Sequence, residues 1–210
     1  MTHASLSLTR DSLSEALTIL AERDTLMRSL LEQYGTPPLW QRVQKFSTLV
    51  HIVLEQKVSL ASARAVMLRV QELCPGMEPA AFLQVPENAL REAGISARKV
   101  SYCRSIATAL HSDELNLIRL RRYTDEQVMQ QLTDIRGIGP WTAGVYLLMA
   151  MRRPDAWASG DRALAVSLAE CEALEQVPSY AELDRRADDW RPHRATAARL
   201  LWHAYLSRRA

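Results

Sequence analysis

Asp161 closes the stretch Trp157-Ala-Ser-Gly-Asp161 and stands directly before the apolar run Ala163-Leu164-Ala165-Val166. A carboxylate there can cap a helix by accepting its first free amides. It can also stabilise positive charge developing on a substrate carbon and orient or deprotonate an attacking water. Both readings stand at this level. Asp155, in Arg152-Arg-Pro-Asp155, is the competing carboxylate and is assigned to a loop or a salt bridge. Gly139 lies 22 residues upstream of Asp161, in Gly137-Ile138-Gly139-Pro140. Such glycines permit positive φ and let another backbone come close. Successive amides beside a helix N-terminus form an anion nest, and Pro140 suits the first helical turn. Ile138 is expected to point into the core and lock the turn. A bare Gly-x-Gly also serves as a tight helix–helix connection with no ligand. No strand or third glycine accompanies it, which excludes a dinucleotide fold, and no Lys-Ser/Thr follows, which excludes a P-loop.

The elements that must position these groups are helical. Leu13, Leu17 and Leu20 share one face; Leu26, Leu30 and Tyr34 continue after a break at Asp24, and Gly35-Thr36-Pro37-Pro38 ends the run. Trp40, Val43, Leu49, Val50, Val53 and Leu54 predict a second helical run. Ser59 caps a third, closed by Cys74-Pro75-Gly76. Short helices are expected around Pro79 and Pro86, and another starts at Ser96. Thr124 and Gln127 form a capping box. Further helices are expected at 141–151, 162–172, 180–189 and 193–207. No alternating stretch predicts a strand. The expectation is an all-α fold of about ten short helices, a single unit over residues 1–210. Its two lobes would be 40–120 and 1–39 plus 121–210, with the N-terminal segment on the C-terminal helices.

The chain has 210 residues, 48% of them hydrophobic, and a formal net charge of +2. So weak a global field means that a nucleic-acid partner would need a local basic face. Arginines do cluster, at 119, 121 and 122, at 152 and 153, and at 185, 186, 191 and 194. Cys74, Cys103 and Cys171 are scattered and form no Cys-x-x-Cys pair, so zinc and iron–sulfur sites are not expected. Buried free thiols in a reducing cytoplasm are the simple reading. No apolar run approaches a membrane span and the N-terminus has no signal-type apolar segment.

Taken together, Leu132-Thr-Asp-Ile-Arg-Gly137-Ile-Gly139-Pro-Trp141 and the aspartate that follows resemble the helix–hairpin–helix (HhH-GPD) DNA glycosylase superfamily. Val53-Leu-Glu-Gln56-Lys57-Val-Ser59 resembles the Gln-x-Val-Ser segment of the alkylpurine branch, that of the 3-methyladenine DNA glycosylase II type. Leu90–Ala107 resembles its second helical pair, and Trp190-Arg-Pro-His-Arg194…Leu201-Trp202 its terminal helix. The resemblance covers roughly residues 15 to 207. This chain would be a compact helical form without the extra N-terminal domain of larger bacterial members.

The resemblance implies a two-lobed helical bundle with a catalytic cleft between the lobes. It implies a monofunctional hydrolase that removes alkylated purines such as 3-methyladenine from duplex DNA and so begins base excision repair. Asp161 would be the catalytic carboxylate. Trp141 stands where bifunctional members carry a Schiff-base lysine, and with Trp202 and Tyr146 it would wall the base pocket. Gln56 and Lys57 would enter the gap left by the flipped base. Gly137, Ile138 and Gly139 would grip a DNA phosphate, and Arg194 would brace the Asp161 loop or contact phosphate. The branch's proline before the aspartate is replaced by Ala158-Ser159-Gly160. No cofactor is expected beyond a monovalent cation that could bridge at the 134–139 hairpin backbone. The expected partner is double-stranded DNA, with no membrane, a monomer, and a cytoplasmic location. A non-catalytic DNA-binding module that keeps the hairpin is the alternative.

Overall fold

The structure is a computed structural model that describes residues 7–209. Residues 1–6, on which part of the reading of the N-terminus falls, lie outside them. The described residues are helical, with no strand among them, and no described helix is long and apolar enough to cross a membrane. They pack as two compact units, one of residues 42–146 and one of residues 7–41 with 147–209.

The first unit is built on α3 (Phe46–Glu55), whose Phe46, Leu49, Val50, Ile52, Val53 and Leu54 are all buried. A helix apolar nearly all round belongs at a centre. α4 (Leu60–Leu73), α7 (Ala97–His111) and α9 (Pro140–Tyr146) pack against it. α5 (Pro79–Gln84) and α6 (Glu87–Glu92) cover α7, and α8 (Asp125–Thr133) packs on α9. The Thr124–Gln127 capping box forms as expected, with reciprocal bonds of 3.3 and 3.0 Å. Lys99 donates its ammonium to the Leu54 and Gln56 carbonyls, at 2.7 and 2.8 Å. This satisfies the orphan carbonyls at the end of α3, and burial pulls the Lys99 pKa down.

The second unit surrounds α12 (Arg194–Ser207), which is lined with Ala195, Ala197, Ala198 and Ala204 and is buried on most sides. Against it lie α1 (Arg10–Arg23), α2 (Thr25–Tyr34), α10 (Arg162–Cys171) and α11 (Tyr180–Asp188). The expected packing of N-terminal on C-terminal helices is thus present. A π-helical stretch, Leu147–Met151, follows α9 directly and ends at Arg152, where φ is 57°.

The structure differs from expectation in four places. Residues 121–146 belong to the first unit, because α9 packs on α3 and α8 packs on α9, so the division falls at 146 and not near 120. Trp40 and Val43 are not helical: Trp40 has φ 43°, Val43 is 61% exposed, and α3 starts only after Lys45. A 3-10 turn, Arg119–Arg122, was hidden in an arginine cluster, and it buries Leu120. Cys74 and Cys103 are buried, but Cys171 is only half-buried, and its Sγ lies 3.2 Å from Arg208 Nη1.

Candidate active site

In the first unit the hairpin joins α8 to α9. Ile138 is buried and its amide donates to the Ile135 carbonyl at 3.0 Å. The side chain therefore locks the turn, and the Ile138 amide is spent within it. Gly137 has φ 99°, and a Cβ there would stand 2.3 Å from the Tyr102 Cβ and Cγ. Glycine is required twice over, by conformation and by contact. Gly139 differs: a Cβ would meet nothing within 4 Å. Its lack of a side chain keeps an outer surface low and serves no internal packing.

Gln56 caps the end of α3. Its amide Nε2 donates to the Gly137 carbonyl at 3.1 Å and to Thr142 Oγ1 at 2.9 Å. Gln56, expected in the gap left by a flipped base, has its side chain turned onto the hairpin in this structure, where it ties α3 to both sides of the glycine turn. Lys57 follows at φ 58° and is exposed, with Val58 and Leu60 exposed beside it at 45% and 57%.

Trp141 lies in the first turn of α9 and is partly exposed. Tyr146 is fully buried, and its hydroxyl has no hydrogen-bond partner among the described residues. Burial raises its pKa well above that of an ordinary phenol. Tyr146 is therefore core and not the expected pocket wall. Five residues at 100° each turn it about 140° away from Trp141 around the helix, whereas Val145 shares the Trp141 side.

In the second unit Asp161 is the N-cap of α10 and is 7% exposed. Its Oδ1 accepts the Leu164 amide at 2.9 Å and the Trp202 indole Nε1–H at 3.3 Å. The capping role read from the sequence is real, and it fixes the carboxylate at the N–H edge of the Trp202 indole. Trp202, 8% exposed, meets the Trp40 ring edge-on, with centroids 6.5 Å apart.

The loop before Asp161, Ala158-Ser159-Gly160 where the resemblance implies a proline, is held by two carboxylates. Asp184, on α11, accepts the Trp157 indole at 2.8 Å and the Ser159 hydroxyl at 2.5 Å. Asp155 accepts Arg191 at 2.6 Å and both Nε and Nη2 of Arg194, at 3.0 and 2.9 Å. Arg194 thus braces the loop through a bidentate pair, and Asp155 is the salt-bridge residue expected. Arg186 is likewise paired, with Asp24, Glu172 and Asp189. The 185–194 arginines are largely matched by acids and do not form a bare basic face.

Sequence reasoning missed Asp184, whose helix reads as a polar surface run, and the ring packing of Trp40, which was read as part of a helical face. Among the described residues no group of three or more His, Cys, Asp or Glu side chains is arranged to hold a metal ion.

Comparison with known proteins yields three findings. A family profile described as "HhH-GPD superfamily base excision DNA repair protein" matches residues 50–193. YfjP of Bacillus subtilis is 23% identical over 188 residues, aligning 86% of this chain with 66% of that protein, so the chain spans just under two thirds of that relative. Two solved structures share the fold. One is the Schizosaccharomyces pombe 3-methyladenine DNA glycosylase Mag1 in complex with abasic DNA: TM-score 0.85, 24% identity, covering 90% of this chain and 95% of that one. The other is a DNA-3-methyladenine glycosidase from Bacillus halodurans: TM-score 0.74, 27% identity, covering 95% and 91%.

Proposed function

The chain belongs to the HhH-GPD superfamily of base excision DNA repair proteins, and from that premise we propose that it hydrolyses the N-glycosidic bond of alkylated purines in duplex DNA. The observation that carries the reading is the buried Asp161 carboxylate, held by the Leu164 amide and the Trp202 indole at the head of α10. It is supported by relatives whose names specify 3-methyladenine as the base released.

In this reaction the C1′–N bond lengthens and its electron pair leaves with the purine. Positive charge gathers on the deoxyribose, and the carboxylate of Asp161 faces it. Water adds to C1′ through its oxygen and gives up a proton to the Asp161 carboxylate, so the products are the free purine and an abasic site. Methylation gives the purine a formal positive charge, which improves it as a leaving group. The same charge is drawn to an indole face by about 1–2 kcal/mol when desolvated. Trp202 and Trp141 are the indoles assigned to the base. Trp141 carries no amine, so no Schiff base forms and the strand is not nicked.

The base must be extruded before its bond can be reached. Lys57, exposed on its left-handed turn, is assigned to phosphate or the minor groove. The Gly137 and Gly139 amides are assigned to a phosphate, which positions the enzyme without reading sequence. A monovalent cation at 134–139 would be held by backbone carbonyls, of which that of Gly137 already accepts Gln56.

Single-turnover release of N3- and N7-methylpurines from methylated duplex DNA tests the reading. Asp161→Asn is expected to keep lesion binding and to lose about a thousandfold in release. Release at the wild-type rate by that variant refutes the assignment. A wild-type protein that binds the duplex and releases no base is instead a non-catalytic hairpin module. Borohydride is expected to trap no enzyme–DNA adduct, and a trapped adduct overturns the monofunctional assignment.

A further inference from the structure

Trp40 has no part in the reaction as written, yet both its backbone and its ring are unusual. Its φ is 43°, a left-handed conformation that is a genuine outlier for a bulky side chain. Such strain persists only where the surroundings over-determine it, and here they can be named. Arg199 is fully buried on α12 and donates Nε to the Leu39 carbonyl at 2.9 Å. Its other two nitrogens are given to Ala195 and Leu148 carbonyls, at 2.9 and 2.6 Å. The planar fork of the guanidinium thus fixes the peptide immediately before Trp40 against the terminal helix.

The ring is held as firmly as the chain. Trp40 meets Trp202 edge-on at 6.5 Å with an interplanar angle of 71°, and it meets His203 at 6.3 Å and 65°. His203 is itself fixed, its Nε2 3.0 Å from the Tyr34 carbonyl oxygen. Arg199 and Trp202 are three residues apart on α12, on neighbouring positions of one face. The bond from Trp202 Nε1 to Asp161 Oδ1 is 3.3 Å, at the long end of the useful range. A modest rotation of the Trp202 indole would break it.

We propose that Trp40 is a positioning residue, whose ring holds the Trp202 indole plane so that its N–H stays on Asp161. This rests on the reading of Asp161 as the reacting carboxylate. The arrangement runs from Arg199 to the Leu39 carbonyl, to the Trp40 ring, to the Trp202 ring, and ends on the carboxylate. The ring contacts of Trp40 are with Trp202 and His203, so its loss acts on the chemical step through geometry and leaves DNA affinity alone.

The test compares Trp40→Ala, Trp40→Phe and wild type. The chain has five tryptophans, so the ¹⁵N-labelled protein gives five indole N–H signals, that of Trp202 being assigned through Trp202→Phe. In Trp40→Ala the Trp202 signal is expected to move upfield as its hydrogen bond is lost. The single-turnover rate of methylpurine release is expected to fall about tenfold, with affinity for abasic duplex within about twofold of wild type. Trp40→Phe, which keeps an edge-on ring, is expected to restore both signal and rate. An unmoved Trp202 signal in Trp40→Ala overturns the proposal, as does a loss confined to DNA affinity, which would make Trp40 a direct contact. Should wild type release no methylpurine, the proposed activity fails, while the Trp202 signal still decides the role of Trp40. Thermal unfolding of each variant separates these effects from simple loss of folded protein.

Discussion

The Tyr102 side chain occupies the space that a side chain on Gly137 would need, with its Cβ and Cγ 2.3 Å from the position of a Gly137 Cβ. This contact sets α7 against the hairpin and separates the roles of the two glycines. Gly137→Ala is expected to lower stability by more than about 2 kcal/mol, since strain and overlap add. Gly139→Ala is expected to leave stability within about 0.5 kcal/mol and to weaken duplex binding, because the new methyl stands on the outer surface. Chemical denaturation and DNA titration of both variants check the contrast. Equal stability losses would contradict it.

Gln56 and Lys57 are neighbours with opposite duties. Gln56→Ala removes two hydrogen bonds to the hairpin and is expected to cost about 1–2 kcal/mol of stability, with no change in the salt dependence of DNA binding. Lys57→Ala is expected to leave stability alone and to reduce the slope of log affinity against log salt by about 0.9. Binding isotherms across a salt series, with denaturation curves, distinguish the two. A fully stable Gln56→Ala protein with weakened binding would mean that Gln56 leaves the hairpin for DNA.

Asp184 holds the loop before the candidate catalytic carboxylate through Trp157 and Ser159. Asp184→Ala leaves both donors unmatched and is expected to destabilise by about 1–3 kcal/mol. Amide exchange at residues 157–160 should quicken and base release should slow, while Asp184→Asn, which keeps an acceptor, recovers part of both. Exchange unchanged in the alanine variant would show that the loop is held by Asp155 alone.

Cys103 gives a pH signature. Its thiol is fully buried, and burial pushes its pKa from 9.0 to about 12. Above pH 9 the unfolded chain releases a proton that the folded chain keeps. The Cys103 contribution to stability is therefore complete below pH 9 and is lost as the pH rises through about 12. Cys103→Ala is expected to be less stable near neutrality and to lose less stability on moving into the alkaline range. Denaturation midpoints below and above pH 9 measure it; parallel declines in the two proteins would contradict it.

The parts legible in the sequence are those whose meaning is local. A glycine pair with a following proline marks a turn and a helix start whatever surrounds them, and Thr124 with Gln127 is a complete capping device within four residues. Asp161 was legible as a cap for the same reason. What the sequence hid depends on distant partners or on helical phase. Gln56 finds its acceptors 81 and 86 positions away, so nothing beside it in the chain announces that it turns onto the hairpin. Tyr146 was misassigned by one position in phase, which is enough to move a ring from a wall to the core. Trp40 fits an apolar spacing that its own backbone does not follow, since a left-handed residue ends any helix there. Asp184 and Asp155 hold the loop by long-range bonds that no neighbouring residue announces.

The second unit draws its helices from both ends of the chain, while the first is one uninterrupted segment. On the ribosome, residues 42–146 can close upon themselves while α12 has yet to be made. α1 and α2 emerge earlier and can pack on each other, but the faces they turn to α12 wait for that helix. The carbonyl of Leu39 waits as long for its guanidinium. Translation that stops short of Arg199 therefore leaves the apolar faces of α1 and α2 without the helix that covers them, a species suited to chaperone capture.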